Sequence, residues 1–341
     1  MIAGVKEQAM AKGRFVAGID LGGTNMQIGV VGPGNKVVGR AKKKTRAGEG
    51  SDRVLDRLVD GVHEACQAAG LTVRDLSAVG IGAPGAIDPA HGVVLEAVNL
   101  RWNNYPLSRV LSRKFGHHVV VDNDVNVAVY GEHQLGAAKG VRDTLGVWIG
   151  TGIGGGLILH NQLFYGATFT AGEIGHTILF PGNPPGSRSV ENNCSRTALV
   201  DRLVRLIRAN NPSIITDLAE GDMGDFKAKV IAQAYAKGDK LTRQVVDNAA
   251  YMLGISIANV VTLLGIQHVV LGGGLTESMG DDLVIPVRDA VRAHVFPAVC
   301  RKVEVVGTKL GPDAGLLGAA LLARKWVEGK ALPATGRKKK A

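Results

Sequence analysis

Three observations predict an α/β protein built from two related halves. Apolar strand-like runs alternate with segments of helical periodicity along most of the chain. Two stretches share one pattern: an apolar strand, a turn of glycines with a threonine, then a second apolar strand. They are VAGIDLGGTNMQIGVV at 16–31 and VWIGTGIGGGLIL at 147–159. The chain, at 341 residues, is also long enough for two domains that each bury a core.

Taken in order, residues 15–21, 26–31 and 36–41 read as three strands joined by glycine-rich turns, an antiparallel meander. Ser51 is expected to cap a helix whose Val54, Leu55, Leu58, Val59, Val62, Ala65 and Cys66 recur at helical spacing, with Gly70 closing it. A short buried strand at 78–82 runs into GAPGAID (82–88), where Pro-Gly marks a turn. Pro106 is placed at the first position of a helix reaching about residue 115. Residues 118–121 are a strand, and Asp122-Asn123-Asp124 lies where it hands over to a helix ending near Leu135.

Residues 136–141 read as the hinge between the halves. After the second glycine turn come GATFTAGEIGH (166–176) and a loop at 181–188 rich in Pro, Gly, Asn and Ser. Helices are expected at 196–209, 226–236 and 241–264, the last apolar on much of its surface and therefore buried. VVLGGG (269–274) is a buried strand ending in three glycines. A further helix, a strand at 303–306 and a final helix at 311–327 with a stripe of small residues complete the chain.

Composition narrows the function classes. With 45% hydrophobic and 21% charged residues the chain reads as soluble and globular, and no apolar run is counted that approaches the ~20 residues of a membrane span. Only 4% is aromatic, too little for platforms that stack single-stranded nucleic acid. Cys66, Cys194 and Cys300 are widely spaced and odd in number, which points to a reducing cytoplasm. The first 13 or so residues lack a signal-peptide core and read as a disordered leader. The net charge of +10 owes much to the runs 42–44 and 337–340. A solvated terminal tail explains the second, and no nucleic-acid-reading module precedes the first strand.

The glycine turns are where chemistry is expected. Glycine lets another molecule approach the main chain, and successive N–H groups at such a turn form a concavity suited to phosphate. Two such hairpins in one chain suggest a clamp on one nucleotide. Gly22, Gly23, Thr24 and Asn25 form the first turn, and Gly150, Thr151, Gly152 and Gly154 the second. Asp20, ending the first strand, is placed to hold Mg²⁺ directly or through water. Asp124 is the candidate general base, a carboxylate at a helix start where the dipole keeps it ionised. The competing role is helix capping, which Asp122 or Asn123 can also perform. Glu173 and His176, three residues apart in GEIGH, either point into one pocket and bind a polyol or belong to a surface loop. No Walker A pattern is present, and the Gly-Gly-Gly at 272–274 is not a dinucleotide fingerprint.

In combination these motifs resemble the ROK family of sugar kinases, within the actin-like ATPase and hexokinase superfamily, from about residue 15 to 327. IDLGGTN (19–25) resembles the family's first phosphate loop and IGTGIGGG (149–156) its second. LGGG, with Gly272, Gly273 and Gly274, resembles the adenosine-binding turn, and DAGLLGAA (313–320) the helix that returns to the small domain. The resemblance implies two ribonuclease H-like domains with an interdomain cleft. It implies Asp124 as the base that takes the sugar hydroxyl proton, and Gly85, Asn99, Asn123, Glu173, His176 and Glu191 as sugar ligands. The expected division is a leader at 1–14, a small domain of 15–135 plus 312–330, a large domain of 136–311 and a basic tail at 331–341. The expected activity is phosphoryl transfer from ATP with Mg²⁺ to the 6-hydroxyl of a hexose, glucose first, in a cytoplasmic homodimer that binds neither nucleic acid nor membrane. Another hexose, an N-acetylated amino sugar, polyphosphate as donor, or a sugar sensor without turnover are the alternatives. A repressor reading is disfavoured because only about fourteen residues precede the first strand.

One departure stands out. Family members usually follow GEIGH with C-x-C-G-x-x-G-C-x-E, whose thiolates join the histidine on a structural zinc. Here the stretch is GNPPGSRSVE (182–191), with Gly182, Pro184 and Ser189 at the cysteine positions. Cys194 alone cannot replace three thiolates in a tetrahedral site, so no zinc is expected.

Overall fold

Each glycine turn reverses a strand onto its neighbour, and each hairpin then continues into parallel strands covered by helices. The computed structural model describes residues 15–329 apart from 223 and 225; the expected leader and basic tail lie outside the described residues. The chain divides into two units, one of residues up to 134 with 162–171 and the segment from 313, the other of 135–161 and 172–312.

In the first unit β1 (Phe15–Leu21), β2 (Asn25–Val31) and β3 (Val37–Lys44) form the expected meander. Helix α1 (Ser51–Ala68) follows and buries Val54, Leu55, Leu58, Val62, Ala65 and Cys66. Its N-cap is Gly50 with no side-chain cap, so Ser51 is the first helical residue and not the cap. Next come β4 (Leu76–Ala83) and a small antiparallel sheet of β5 (Ala86–Asp88), β6 (Val93–Ala97) and β7 (Trp102–Tyr105). Pro106 is the cap of α2 (Leu107–Phe115), one residue earlier than expected. Strand β8 (Val119–Asn123) then meets α3 (Asp124–Leu135) without a connecting loop. The main sheet runs β3-β2-β1-β4-β8, with β1, β4 and β8 parallel. Its inner strands bury mostly apolar side chains, among them Ala17, Ile19, Ile28, Val30, Val79 and Ile81.

The second unit repeats the plan. Strands β9 (Thr144–Ile149) and β10 (Ile153–Leu159) form the hairpin of the second glycine turn. The short strand β11 (Gln162–Leu163) opens the segment assigned to the first unit. Helices α4 (Val190–Cys194), α5 (Arg196–Arg208), α6 (Ile215–Leu218), α7 (Ala228–Ala236) and α8 (Lys240–Leu264) follow. Strand β12 (His268–Gly272) lies parallel to β9 on one side and to β13 (Glu304–Gly307) on the other, with α9 (Gly274–Met279) and α10 (Asp281–His294) between them in sequence. Asp239 caps α8, accepting from Thr242 N at 2.9 Å and Thr242 Oγ1 at 2.6 Å. By length and composition α8 is apolar enough to cross a membrane, although polar residues interrupt its apolar run. Most of that surface is spent inside the unit, where Leu253, Ile257 and Val261 are buried.

The chain returns to the first unit through α11 (Ala314–Val327), which begins after a 3₁₀ turn at Gly311–Asp313 instead of as one continuous helix. Its small residues let it lie against β1, β4 and α3. An ideal Cβ on Gly18 of β1 would sit 2.0 Å from Leu316 O, and one on Gly80 of β4 would sit 1.9 Å from Ala319 O.

Candidate functional site

The first group of predicted residues gathers where β8 passes into α3. The Asn123 Oδ1 accepts the N–H groups of Val125 at 2.9 Å and Asn126 at 3.0 Å, so Asn123 caps the helix. Its amide donates to Gly85 O at 3.0 Å, which joins two of the expected sugar ligands. Asp124, the first helical residue, is partly exposed and accepts its neighbour's Val125 N–H at 2.9 Å. Its backbone lies close over the end of β4, where an ideal Cβ on Gly82 would come 3.1 Å from Asp124 Cα.

Asp122, on the other side of the cap, is buried and accepts from Asn123 N at 2.7 Å, Asn126 Nδ2 at 3.3 Å and Tyr165 Oη at 2.5 Å. Burial raises its carboxyl and those three bonds oppose the rise, leaving it at about 6. Because this folded value lies above the ordinary one of 3.8, folding takes up a proton between them. The contribution of Asp122 to stability therefore falls as pH rises from about 4 to about 6 and is level above that. Tyr165→Phe removes a bond that favours the charged form. It should cost about 1.5–3 kcal/mol where Asp122 is ionised and less at pH 4–5. Urea unfolding at pH 5 and pH 8 measures this, and equal losses at both values would contradict it. No local signal marks Tyr165, whose partner is 43 residues away.

The first glycine turn lies in the same unit. Gly23 and Thr24 are exposed, Gly22 is partly buried, and Asn25 opens β2. Asn99 sits beside the turn, 3.5 Å from an ideal Cβ on Gly23. Asp20, at the end of β1, packs its carboxylate against Gly315 at the start of α11, where an ideal Cβ would come within 2.9 Å. Thr45, fully buried just past β3, donates its hydroxyl to Gly22 O at 2.6 Å and its N–H to Thr24 O at 2.9 Å. The preceding lysine run hides Thr45 in the sequence.

In the second unit Gly150, Thr151 and Gly152 form the turn, whereas Gly154 lies in β10 opposite Trp148. The turn closes through Gly150 N to Gly152 O at 2.9 Å. Glu191 Oε2 accepts the Ile153 N–H at 2.8 Å and occupies the space a side chain on Gly152 would need, 2.3 Å from its ideal Cβ. Arg196 N donates to Gly150 O at 2.9 Å and Thr197 Oγ1 to Thr151 O at 2.8 Å. Gly272 ends β12, Gly273 takes a φ of +88° against Ile149, and Gly274 opens α9, so the three glycines lie beside the same turn. Glu173 precedes a 3₁₀ turn, Ile174–His176, and burial and the Glu191 charge raise its carboxyl while His176 opposes them. The His176 ring is exposed, 3.9 Å from the Glu173 carboxylate.

The donor set of the 182–191 loop does not fit zinc. Gly182 and Pro184 carry no ligating side chain, and Ser189 spends its hydroxyl capping α4 through Asn192 N at 3.2 Å. Cys194 is buried, its thiol pushed up to about 12, so it is not a ready thiolate. Protein hydrogen bonds close the loop instead. Leu179 N and Phe180 N donate to Arg188 O at 2.8 and 3.1 Å, Val190 N donates to Thr177 O at 3.0 Å, and the Arg188 guanidinium reaches Asn183 O. Asn193 Nδ2 donates to Ser187 O at 3.1 Å and Ser189 O at 2.7 Å. Elemental analysis of the purified protein is expected to find no stoichiometric zinc; one zinc per chain would contradict this account.

A glycine hairpin leading into parallel strands, present in both units, together with a carboxylate at a strand-to-helix junction, defines the class of two-domain actin-like ATPases and hexokinases. Within it the chain belongs to the ROK family, whose model matches residues 16–326. It is 31% identical over 317 residues to a glucokinase of Thermotoga maritima, covering 92% of this chain and 98% of that one. It is 30% identical over 322 residues to a glucokinase of Halalkalibacterium halodurans, covering 92% and 96%. Among solved structures it is similar to a ROK family glucokinase from Streptomyces griseus in complex with glucose and AMPPNP, with a TM-score of 0.81, 30% identity, and 91% and 99% of the two chains covered.

Proposed function

We propose that the chain is an ATP-dependent hexokinase with glucose as its first substrate. The observation that carries this is the partly exposed Asp124 carboxylate at the start of α3, beside a helix cap made by Asn123, in a chain of glucokinase-like family and fold. Asp124 takes the proton of the sugar 6-hydroxyl as that oxygen bonds to the γ-phosphorus of ATP, and the bond from that phosphorus to the β,γ-bridging oxygen breaks, its electron pair leaving on ADP. The glycine turns supply backbone N–H groups to the nucleotide phosphates. Mg²⁺ would arrive with ATP as part of the substrate and neutralise charge there, with Asp20, on the strand that leads into the first turn, the carboxylate proposed to hold it.

Gly85, Asn99, Asn123, Glu173, His176 and Glu191 are proposed to bind the sugar. Three unpaired cysteines support a cytoplasmic location. The expected homodimer has a candidate face in the second unit, where Ile178, Phe180, Tyr251 and Leu263 are exposed around a groove of about 750 Å³; light scattering reads the state. The deciding test is phosphorylation over a panel of hexoses and N-acetylated amino sugars with ATP or polyphosphate. ATP with glucose should give the highest kcat/KM. Preference for another sugar or donor would revise the substrate, and no turnover with any pair would favour a sugar sensor.

A further inference from the structure

The two glycine turns are anchored in the same manner by residues outside any recognised motif. At the first, the Thr45 hydroxyl and N–H bind Gly22 O and Thr24 O, at 2.6 and 2.9 Å. At the second, the Arg196 N–H and the Thr197 hydroxyl bind Gly150 O and Thr151 O, at 2.9 and 2.8 Å. Each turn thus has two carbonyls held, one by a threonine hydroxyl and one by a backbone N–H. A trans peptide is planar and carries its C=O and the next residue's N–H on opposite edges. Fixing Gly22 O therefore aims the Gly23 N–H the other way, and fixing Gly150 O and Thr151 O does the same for the N–H groups of Thr151 and Gly152. These three N–H groups take no hydrogen-bond partner among the described residues.

We propose that Thr45 and Thr197 are positioning residues for the nucleotide. They hold the turn carbonyls away so that the opposite N–H groups are already directed at phosphate oxygens when ATP arrives. Preorganised donors spend none of the binding energy on reorienting peptides, and an unanchored glycine turn has many orientations to lose. The Arg57 guanidinium donates to Thr45 O at 3.1 Å, which fixes the first anchor in turn. This inference rests on the kinase reading above.

The test compares Thr197→Val and Thr45→Val, which keep shape and remove the donor, with Thr197→Ser and Thr45→Ser, which keep it. The readouts are KM for ATP, KM for glucose, and calorimetric binding of the magnesium complex of AMPPNP. Each valine variant should weaken nucleotide binding and raise KM for ATP about three- to tenfold, the scale of one lost hydrogen bond, with KM for glucose unchanged. Each serine variant should return to within about twofold of the parent. Valine variants that bind AMPPNP like the parent, or serine variants as weak as valine ones, would overturn the proposal. If Thr45→Val does not fold, Thr197→Val decides, because Thr197 is exposed and serves no core. A parent that binds AMPPNP but phosphorylates no sugar sinks the kinase reading alone, and the binding arm still decides the anchors. A parent that binds no nucleotide sinks both.

Discussion

Asp124→Asn is expected to lower kcat by about 10²–10⁴ while sugar binding changes little. The substitution keeps the size of the side chain and replaces an oxygen that can take a proton by an amide that cannot. It also keeps an oxygen for the Val125 N–H, now bonded at 2.9 Å. Helix capping is unaffected because Asn123 performs it, so α3 stays in place. The positive end of the α3 dipole favours the ionised carboxylate, the form a base requires. Steady-state kinetics give kcat, and calorimetry with glucose gives the binding term. A variant with parental kcat would remove Asp124 from the role of base. One that had lost glucose affinity as well would make Asp124 a sugar ligand first.

The parts of this protein that were legible in the sequence are those decided within a few residues. A glycine turn between two apolar runs carries its own geometry, so both hairpins, and with them the repeated plan, could be read directly. The small sheet of β5, β6 and β7 escaped because its strands are three to five residues long and include Glu96, Asn103 and Asn104. Ser51 looks like a cap, yet the chain enters α1 through Gly50 at a φ of +94°, a conformation its own sequence neighbourhood does not announce. At the strand-to-helix junction the sequence offered Asp122 and Asn123 as equal caps. Burial decided between them, since Asp122 faces Tyr165 and Asn126 inside the unit. Glu191 was expected toward the sugar, and one of its oxygens is spent on Ile153 N, a bond between residues 38 apart. Tyr165, Thr45 and Thr197 share that property: each matters through a partner that only the folded chain supplies.

Gly318→Ala should be among the most damaging single methyl additions at the described glycines. An ideal Cβ at Gly318 of α11 would lie 1.7 Å from Val127 O and 3.0 Å from Gly131 N, both backbone atoms of α3. The contact is reciprocal, because an ideal Cβ on Gly131 would lie 2.6 Å from Ala314 O and 3.2 Å from Gly318 N. Neither helix can relieve the clash by turning a side chain, so the helices must separate. α11 resists moving because Gly18 and Gly80 hold it as closely against β1 and β4. Overpacking of this kind costs about 1–3 kcal/mol, and a backbone-to-backbone clash belongs at the upper end. A fall of about 5–10 °C in the thermal midpoint is therefore expected. Gly48→Ala is the control, since nothing lies within 4 Å of its ideal Cβ, and its effect should stay within about 0.5 kcal/mol. Because α3 carries Asp124 on its first turn, the folded fraction of Gly318→Ala should also show a reduced kcat. A midpoint within a degree or so of the parent would mean that α3 and α11 are less tightly apposed than these distances require. Lost stability with parental kcat would mean that the displacement is absorbed before it reaches the end of α3 where Asp124 lies.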